Sequence, residues 1–517
     1  MNGLKREKHL FEEAPMAEAI LSLAIPAVMG QIILVIYNMA DTFFVGLTGS
    51  DAMITAVTVC MPAFMFLSAI ANLFGVGGAS VIARALGNKN VDRARDTASF
   101  AFWGCLIAAA VYSIGAYLFR DTFVNLLGGS DSQVHRHAVE YLLCTVVAGG
   151  VVTSMNTLLA HLIRSEGRSL QSSTGIAIGG VLNIALDPLF MFVILPAGRE
   201  TLGAALATAL SNVATLIYFI IVIGKNRPHT ALYFAPRRAM LAAAIPSDVL
   251  STGIPACLMT LCENISYGVL DNLMALSGTA AQAGIGVAKK VNMLAHCMVR
   301  GMAQGVLPLI AYNYAAGDYK RMRSAVLTST AISACLAGLC TAINLCFAHE
   351  LISVFIRGGE SMAYGMKFLR ILCIGAPFSA CAYAFISFFQ ATGHGMHSLV
   401  LALLRKGILD IPLMFILKGV FPVYGIVWAT PAADIICCIA ATVTFAVFMG
   451  RFEEGGKPAD SLSGGRRLRQ ALSELKAVVL KKAAHCRFFV CAFTYPQHIR
   501  PYPAPWSCSP IRCRTRR

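Results

Sequence analysis

Twelve stretches of about twenty mostly apolar residues recur along this chain, at 17–39, 54–78, 97–119, 138–162, 171–195, 202–224, 247–271, 283–310, 325–347, 366–389, 398–417 and 424–449. Each is long enough to cross a hydrocarbon layer as a helix. Inside that layer every backbone polar group must be satisfied internally, which leaves helices or closed barrels. The runs are too long and too evenly apolar for barrel strands, which are shorter and alternate. The expected fold is therefore all-α, a polytopic membrane protein of twelve transmembrane helices. Charge supports this reading, because only 13% of the residues are charged, against about a quarter in soluble domains. The formal net charge of +16 is concentrated in short loops and the C-terminal tail, the pattern of membrane topology rather than of nucleic-acid binding. Lys5, Arg6 and Lys8 precede no short apolar run with a cleavage site, so the first apolar segment is expected to be retained. Basic residues follow the even-numbered helices, at Arg84–Arg95, Arg164–Arg168, Lys225–Arg238 and Lys320–Arg323. Those connections and both termini are read as cytoplasmic, in a cell (inner) membrane.

The chain also repeats itself. Pro26 and Asp41 are echoed by Pro255 and Asp271, and Arg93-Ala94-Arg95 by Arg321-Met322-Arg323. Leu186-Asp187-Pro188 is echoed by Leu409-Asp410-Ile411-Pro412, and Gly203 to Thr208 by Gly425 to Thr430. The order is kept at offsets of about 222 to 230 residues. Two six-helix repeats with the same topology follow, related by a pseudo-twofold along the membrane normal. The expected units are an N-lobe (1–235), a C-lobe (236–450) and a basic cytoplasmic tail (451–517). The loop at 225–246 joins the lobes. The tail is expected to be disordered, apart from an amphipathic helix over 465–483.

Polar residues within apolar segments are the functional candidates, because each is costly there. Asp41 ends the first segment and shares a helix face with Tyr37. It is either an intramembrane carboxylate or an interfacial cap for the next turn. Asn183 and Asp187 share a face, and Pro188 frees a carbonyl beside them. That set of oxygens suits a small cation, with Thr208 and Asn156 adding neutral ligands. The alternative for Thr208 and Asn156 is interhelical hydrogen bonding, worth about 0.6 kcal/mol on average. Glu263 is a candidate binder of a cationic substrate or a proton, neutralised by Lys289 or Lys290. Asp271 either repeats the role of Asp41 or ends its helix. Asp410 repeats Asp187, with Arg405 as a candidate ion-pair partner. No hydrolase, zinc-protease or nucleotide-binding motif is present, so no enzymatic role and no cofactor are expected. The 17 cysteines show no CxxC spacing, and neither a zinc site nor a disulfide framework is read from them. His161 and His296 are isolated and are expected to pack or bond locally.

These residues resemble the multidrug and toxic compound extrusion (MATE) family of cation-coupled antiporters over about residues 15–450. The likeness rests on Pro26 with Asp41-Thr42-Phe43-Phe44-Val45-Gly46, on Gly87-Asn88 before Arg93-Ala94-Arg95, on Asn156 with Arg164 and Gly167, and on Asn183 to Pro188. The resemblance implies a V-shaped pair of lobes around a cavity that opens alternately to each side. It implies a coupling-ion site for H⁺ or Na⁺ at Asp41, Asn183, Asp187 and Thr208, with Tyr37 and Asn156 nearby and Na⁺ held by Asp41 and Asp187. It implies a substrate role for Glu263, which the notion of a cationic cavity extends to Asp271 and Asp410. Some members carry an acidic residue in helix ten, where Phe378 to Gln390 has none, so a C-lobe sodium site is not expected. The expected partners are the bilayer and small, mostly cationic organic molecules, with a monomer as the working unit. The competing expectation is a flippase for lipid-linked saccharides, which should show an anion-binding cavity with several cationic side chains at mid-membrane; Lys289, Lys290, Arg405 and Lys406 speak for it.

Overall fold

The computed structural model describes residues 9–126, 131–196, 198–242, 244–356 and 358–453. The expected amphipathic helix at 465–483 lies outside them. Among the described residues the fold is helical, without strands. The long elements are α1 (Met16–Leu47), α2 (Asp51–Gly87), α3 (Val91–Leu118), α4 (Gly150–Ser165), α5 (Ser169–Leu189) and α6 (Glu200–Lys225). They are followed by α7 (Ala244–Ala275), α8 (Thr279–Ala315), α9 (Tyr319–Cys346), α10 (Ala376–Ala391), α11 (Gly395–Leu403) and α12 (Tyr424–Glu453). Among the described residues nine helices are long and apolar enough to cross a bilayer, and up to eleven if each of two bent pairs is one span. One pair joins 132–148 to α4 at 48°, the other joins Gly359–Ile374 to α10 at 41°. The apolar segment at 398–417 is not one uninterrupted helix. It is α11, a π-helical turn over Leu404–Asp410 and a short helix over Ile411–Val420. The wide turn carries buried Arg405, Lys406 and Asp410, and such turns often mark functional positions.

The helix starts are specified locally. Asn90 caps α3 by accepting from Arg93 N at 3.0 Å, and Asp318 caps α9 by accepting from Arg321 N at 2.9 Å. Both caps belong to the duplicated polar turns. The arginines that follow carry structure as well as charge. Arg93 forms an ion pair with Asp248 of α7. Arg321 donates to the carbonyls of Phe11 and Ala14, each at 2.7 Å. The linker is docked too. Glu166 accepts from Thr230 and from Ala231 N at 2.6 Å, and Trp103 donates to Phe234 O at 2.9 Å.

Among the described residues, the close contacts between the first six helices and the last six gather at the end that carries the basic loops. There α2 crosses α7 and α1 crosses α8 through small residues, which let helix backbones approach closely. A Cβ on Gly253 would lie 1.9 Å from Leu73 O, and one on Gly77 would lie 2.3 Å from Val249 O. Polar contacts close the same seam: Gln31 to Gln304 at 3.3 Å, Asn72 to Thr260 at 3.0 Å, and Ser80 to Gln390 O at 2.6 Å. One apolar core at this end draws on both halves, with Leu23, Val306, Ile310 and Phe388 buried together. At the opposite end there are two separate cores. One contains Val45, Ala63, Met191 and Ala204, the other Leu270, Ile285, Phe368 and Val427. The consequence is a cleft between the halves that widens away from the basic end.

The seam makes a specific demand on Gly77. Substituting alanine there should cost about 1–3 kcal/mol, the usual penalty of overpacking. Gly46→Ala, at a position with nothing within 4 Å of the added carbon, should be close to neutral. Thermal unfolding of the two detergent-solubilised variants against wild type checks this, with a lowered midpoint expected for Gly77→Ala alone.

Candidate functional site

Two clusters of buried polar residues lie in the halves that line the cleft. In the first half, Asp41 sits inside α1, six residues before its end, and is 8% exposed. It is therefore not a cap; Ser50 caps the next helix. Asp187 is fully buried near the end of α5 and interacts electrostatically with Asp41. The α1–α5 approach that brings them together passes at Gly180, where a Cβ would lie 3.2 Å from the Tyr37 ring. Asn183 donates to Asp187 Oδ1 at 3.1 Å and to Thr208 Oγ1 of α6 at 3.3 Å. Tyr37 and Tyr141 both feel the charges of Asp41 and Asp187; the sequence reading missed Tyr141. Asn156 donates to Asn212 O at 2.9 Å and so ties α4 to α6. It still leaves its own Oδ1 without a partner.

The acceptors left over define this cluster. Asp41 Oδ1, Asp187 Oδ2, Asn183 Oδ1 and Asn156 Oδ1 are buried with no hydrogen-bond donor. Among the described residues no basic side chain pairs with Asp41 or Asp187. Buried unsatisfied oxygens cost free energy unless a proton, a cation or water meets them. Two carboxylates with neutral oxygens suit a small monovalent cation. Among the described residues no three His, Cys, Asp or Glu side chains gather into a metal cage.

The second half answers the same problem with built-in cations. Asp410 is fully buried and accepts from Ser266 at 2.6 Å, from Lys406 at 2.8 Å and from Thr430 at 3.0 Å. The residues of these contacts other than Ser266 have counterparts 222 or 223 residues earlier. Lys406 stands where Asn183 stands, Asp410 where Asp187 stands, and Thr430 where Thr208 stands. The Lys406 ammonium thus supplies, on a tether, the positive charge that the first half leaves open. The expected Arg405–Asp410 pair does not form. Arg405 Nε donates instead to Asp434 Oδ1 at 2.7 Å, since Lys406 lies one helical turn from Asp410 and takes its oxygens.

Glu263 is not neutralised by Lys289 or Lys290. Lys289 is held by Asp271 one helix pair away, and Glu263 accepts from Arg300 at 2.8 Å and from Tyr383 at 3.1 Å. Tyr383 stands in the part of helix ten where a carboxylate is missing. Asp271 lies one turn before the end of α7, half-exposed, as the partner of Lys289. The cluster residues missed from sequence are Arg300, Tyr383 and Asp434. Asp434 is the one charged residue of the apolar run 424–449, which was signal enough to find it. His161 packs on α2 at Gly75, and His296 is within 3.4 Å of Ser379, so both are locally engaged.

A helical membrane protein with a cleft between two halves and buried ionisable clusters on both walls has the make-up of a secondary transporter. The MatE family model matches residues 26–189 and 255–416, and the chain belongs to that family. It is 27% identical over 436 residues to the multidrug export protein MepA of Staphylococcus saprophyticus, covering 84% of this chain and 94% of that protein. Against MepA of Staphylococcus aureus strain MRSA252 it is 28% identical over 438 residues, covering 84% and 94%. Among solved structures it is similar to a multidrug resistance MATE family transporter of the MOP superfamily in an outward-facing conformation. The TM-score there is 0.81 at 22% identity, over 88% of this chain and 99% of that one. It is also similar to a MATE structure in complex with MaD5, with a TM-score of 0.80 at 23% identity over 88% and 99%. The chain is thus a multi-pass membrane protein of a multidrug export transporter family.

The tethered charge makes a testable demand. Lys406→Met leaves a buried carboxylate uncompensated and should destabilise by about 3–5 kcal/mol. Adding Asp410→Leu should recover most of that loss. Thermal unfolding of wild type, both single variants and the double variant measures the coupling, and a purely additive cycle would contradict the pairing.

Proposed function

We propose that this protein is an efflux antiporter that exports organic molecules in exchange for H⁺ or Na⁺. The observation that carries the reading is the set of four unpartnered acceptor oxygens at Asp41, Asn183, Asp187 and Asn156. Opposite them, the equivalent oxygens of the second half are met by Lys406. The coupling ion therefore goes to the first half, where the charge is uncompensated. The coupling site is Asp41, Asn183, Asp187 and Thr208, with Tyr37, Tyr141 and Asn156 around it.

The chain then works as twelve crossings, the twelfth being the broken segment of α11, the π-helical turn and 411–420. The two sets of six helices act as lobes, and the seam at the basic end is the closed gate of the conformation seen here. The basic end faces the cytoplasm by the positive-inside rule, so the cleft opens outward. An ion entering from outside reaches Asp41 and Asp187 and removes their mutual repulsion. Pro188, directly after Asp187, gives α5 a weak point at which to bend. Changed packing of α1 on α5 is transmitted along α1 to its crossing with α8, which opens the other side. The names of the MepA relatives support multidrug export as the cargo class. The flippase alternative calls for an anion-binding cavity lined by cationic side chains. Of its four residues, Lys289, Lys406 and Arg405 are each occupied by a carboxylate, which leaves Lys290.

Reconstitution tests the reading. Vesicles containing the protein and a fluorescent cationic dye are given a pH gradient or a Na⁺ gradient. Wild type should move dye under one of them, and Asp41→Asn should lose gradient-driven movement while still folding. A one-for-one exchange of a proton for a monovalent cation should stop near tenfold accumulation per pH unit, about 1.4 kcal/mol. Folded wild type that moves no dye under either gradient would overturn the proposal.

A further inference from the structure

The segment that joins α6 to α7 is pinned to the first half along much of its length. Ser99 Oγ of α3 lies 2.6 Å from Tyr233 O and 3.0 Å from Ala235 O. Trp103, one turn further on the same helix face, donates to Phe234 O at 2.9 Å, and the Phe102 ring stacks on that of Phe234. Arg168 donates to His229 O at 2.9 Å. A segment held in this way presents its side chains as a built surface, and that surface is basic. Lys225, Arg227, Arg237 and Arg238 are exposed, and no Asp or Glu occurs from Thr201 to Ser247. Among the described residues none of the four is in an ion pair; the one carboxylate that follows, Asp248, is taken by Arg93. Arg227 and Arg237 nevertheless converge on one ring, their Cζ atoms 5.9 and 5.3 Å from the Tyr233 centroid. Like charges brought together repel, and an anion between them relieves that cost.

The helices on either side show what this surface faces. On α6, Leu210, Val213, Ile217 and Ile221 form an exposed apolar stripe at helical spacing, and Lys225 is its next position. On α3, Ile107, Val111, Ile114 and Leu118 form a second exposed stripe, and Trp103 stands one turn before it. In a membrane protein such stripes face lipid tails, with Trp and Tyr at headgroup level. One helical turn past the last apolar residue is about 5 Å, which is the depth at which the phosphates lie. A guanidinium is a planar fork matched to phosphate. We propose that Arg227 and Arg237, on either side of the Tyr233 contact, bind the phosphate of an anionic phospholipid in the leaflet that meets the basic end, with Lys225 and Arg238 adding charge around it. The lipid is a partner held on the outer surface of the helices, separate from any cargo of the cleft. It binds the segment that links the two halves, so the link is held at the membrane surface.

The chain has three tryptophans, at 103, 428 and 506, and Trp103 lies beside the site. The test uses the full chain carrying Trp428→Phe and Trp506→Phe, reconstituted in phosphatidylcholine vesicles. Phosphatidylglycerol brominated in its acyl chains is added, and quenching of Trp103 is compared with that by brominated phosphatidylcholine. The anionic lipid should bind about thirtyfold more tightly beside Trp103, roughly fivefold for each arginine. Arg227→Gln with Arg237→Gln should bring that ratio close to one, and either substitution alone should lower it about fivefold. Both side chains are exposed, so folding should be kept; if the double variant does not fold, the single variants decide by the same ratio. Lys320→Gln, which removes an exposed cation from another loop at the same end, should leave the ratio unchanged. A chain that keeps Trp428 alone, exposed on the other half, should show no preference. Equal quenching of Trp103 by the two lipids would overturn the proposal, as would a preference that survives loss of both arginines. An equal loss in Lys320→Gln, or an equal preference at Trp428, would also overturn it, because the attraction would then be that of net charge. Displacement of the brominated lipid by millimolar glycerol 3-phosphate would overturn it in favour of a site for free phosphate esters.

Discussion

The close crossing of α2 with α7 is the constraint on which the arrangement depends. Backbone meets backbone there because Gly77 and Gly253 carry no side chain, and in lipid such packing replaces the hydrophobic drive available in water. Helices pinned at one crossing and tilted apart must diverge beyond it. The divergence is visible in the cores, which merge at the basic end and separate at the other. A cleft is therefore the geometric consequence of where the small residues fall.

The two walls of the cleft solve the cost of buried carboxylates differently. Near-equivalent positions hold Asn183, Asp187 and Thr208 in one half and Lys406, Asp410 and Thr430 in the other. Replacing an amide by an ammonium changes the cluster from an ion acceptor into a closed ion pair. Breaking a buried pair of that kind is expensive, whereas an open pair of carboxylates gains from any cation that arrives. The half with the lysine is suited to a fixed framework, and the half with the asparagine to a site that fills and empties. The two clusters thus differ most plainly at one position, an amide at Asn183 and an ammonium at Lys406.

Much of this was legible in the sequence, because the signals are strong ones. Runs of apolar residues impose membrane helices, and a carboxylate among them is costly enough to mark a site. Asp41, Asp187, Glu263 and Asp410 stood out that way, and all four are buried. What escaped was pairing. Sequence separation favoured Lys289 or Lys290 for Glu263 and Arg405 for Asp410. The actual partners depend on helix rotation and on the π-helical turn at Leu404–Asp410, which re-aims Arg405 towards Asp434. The arginines of the duplicated turns were read as topological charge. Arg93 and Arg321 also tie Asp248 and the carbonyls of Phe11 and Ala14, contacts between segments far apart in the chain that no periodicity announces. The partners of Gly77 and Gly253 are likewise defined only by the crossing.

Substrate charge has an energetic consequence for coupling. Exchange of one proton for a monovalent cation moves no net charge, so the membrane potential contributes nothing and a pH unit supplies about 1.4 kcal/mol. An amphoteric substrate with no net charge alters that balance. One proton entering as a neutral molecule leaves transfers a positive charge inward, and a potential of 100 mV then adds about 2.3 kcal/mol. A single coupling ion at the Asp41 and Asp187 wall would then drive much steeper accumulation than it could for a cation. The net charge of the cargo would therefore decide whether the membrane potential does work in each cycle.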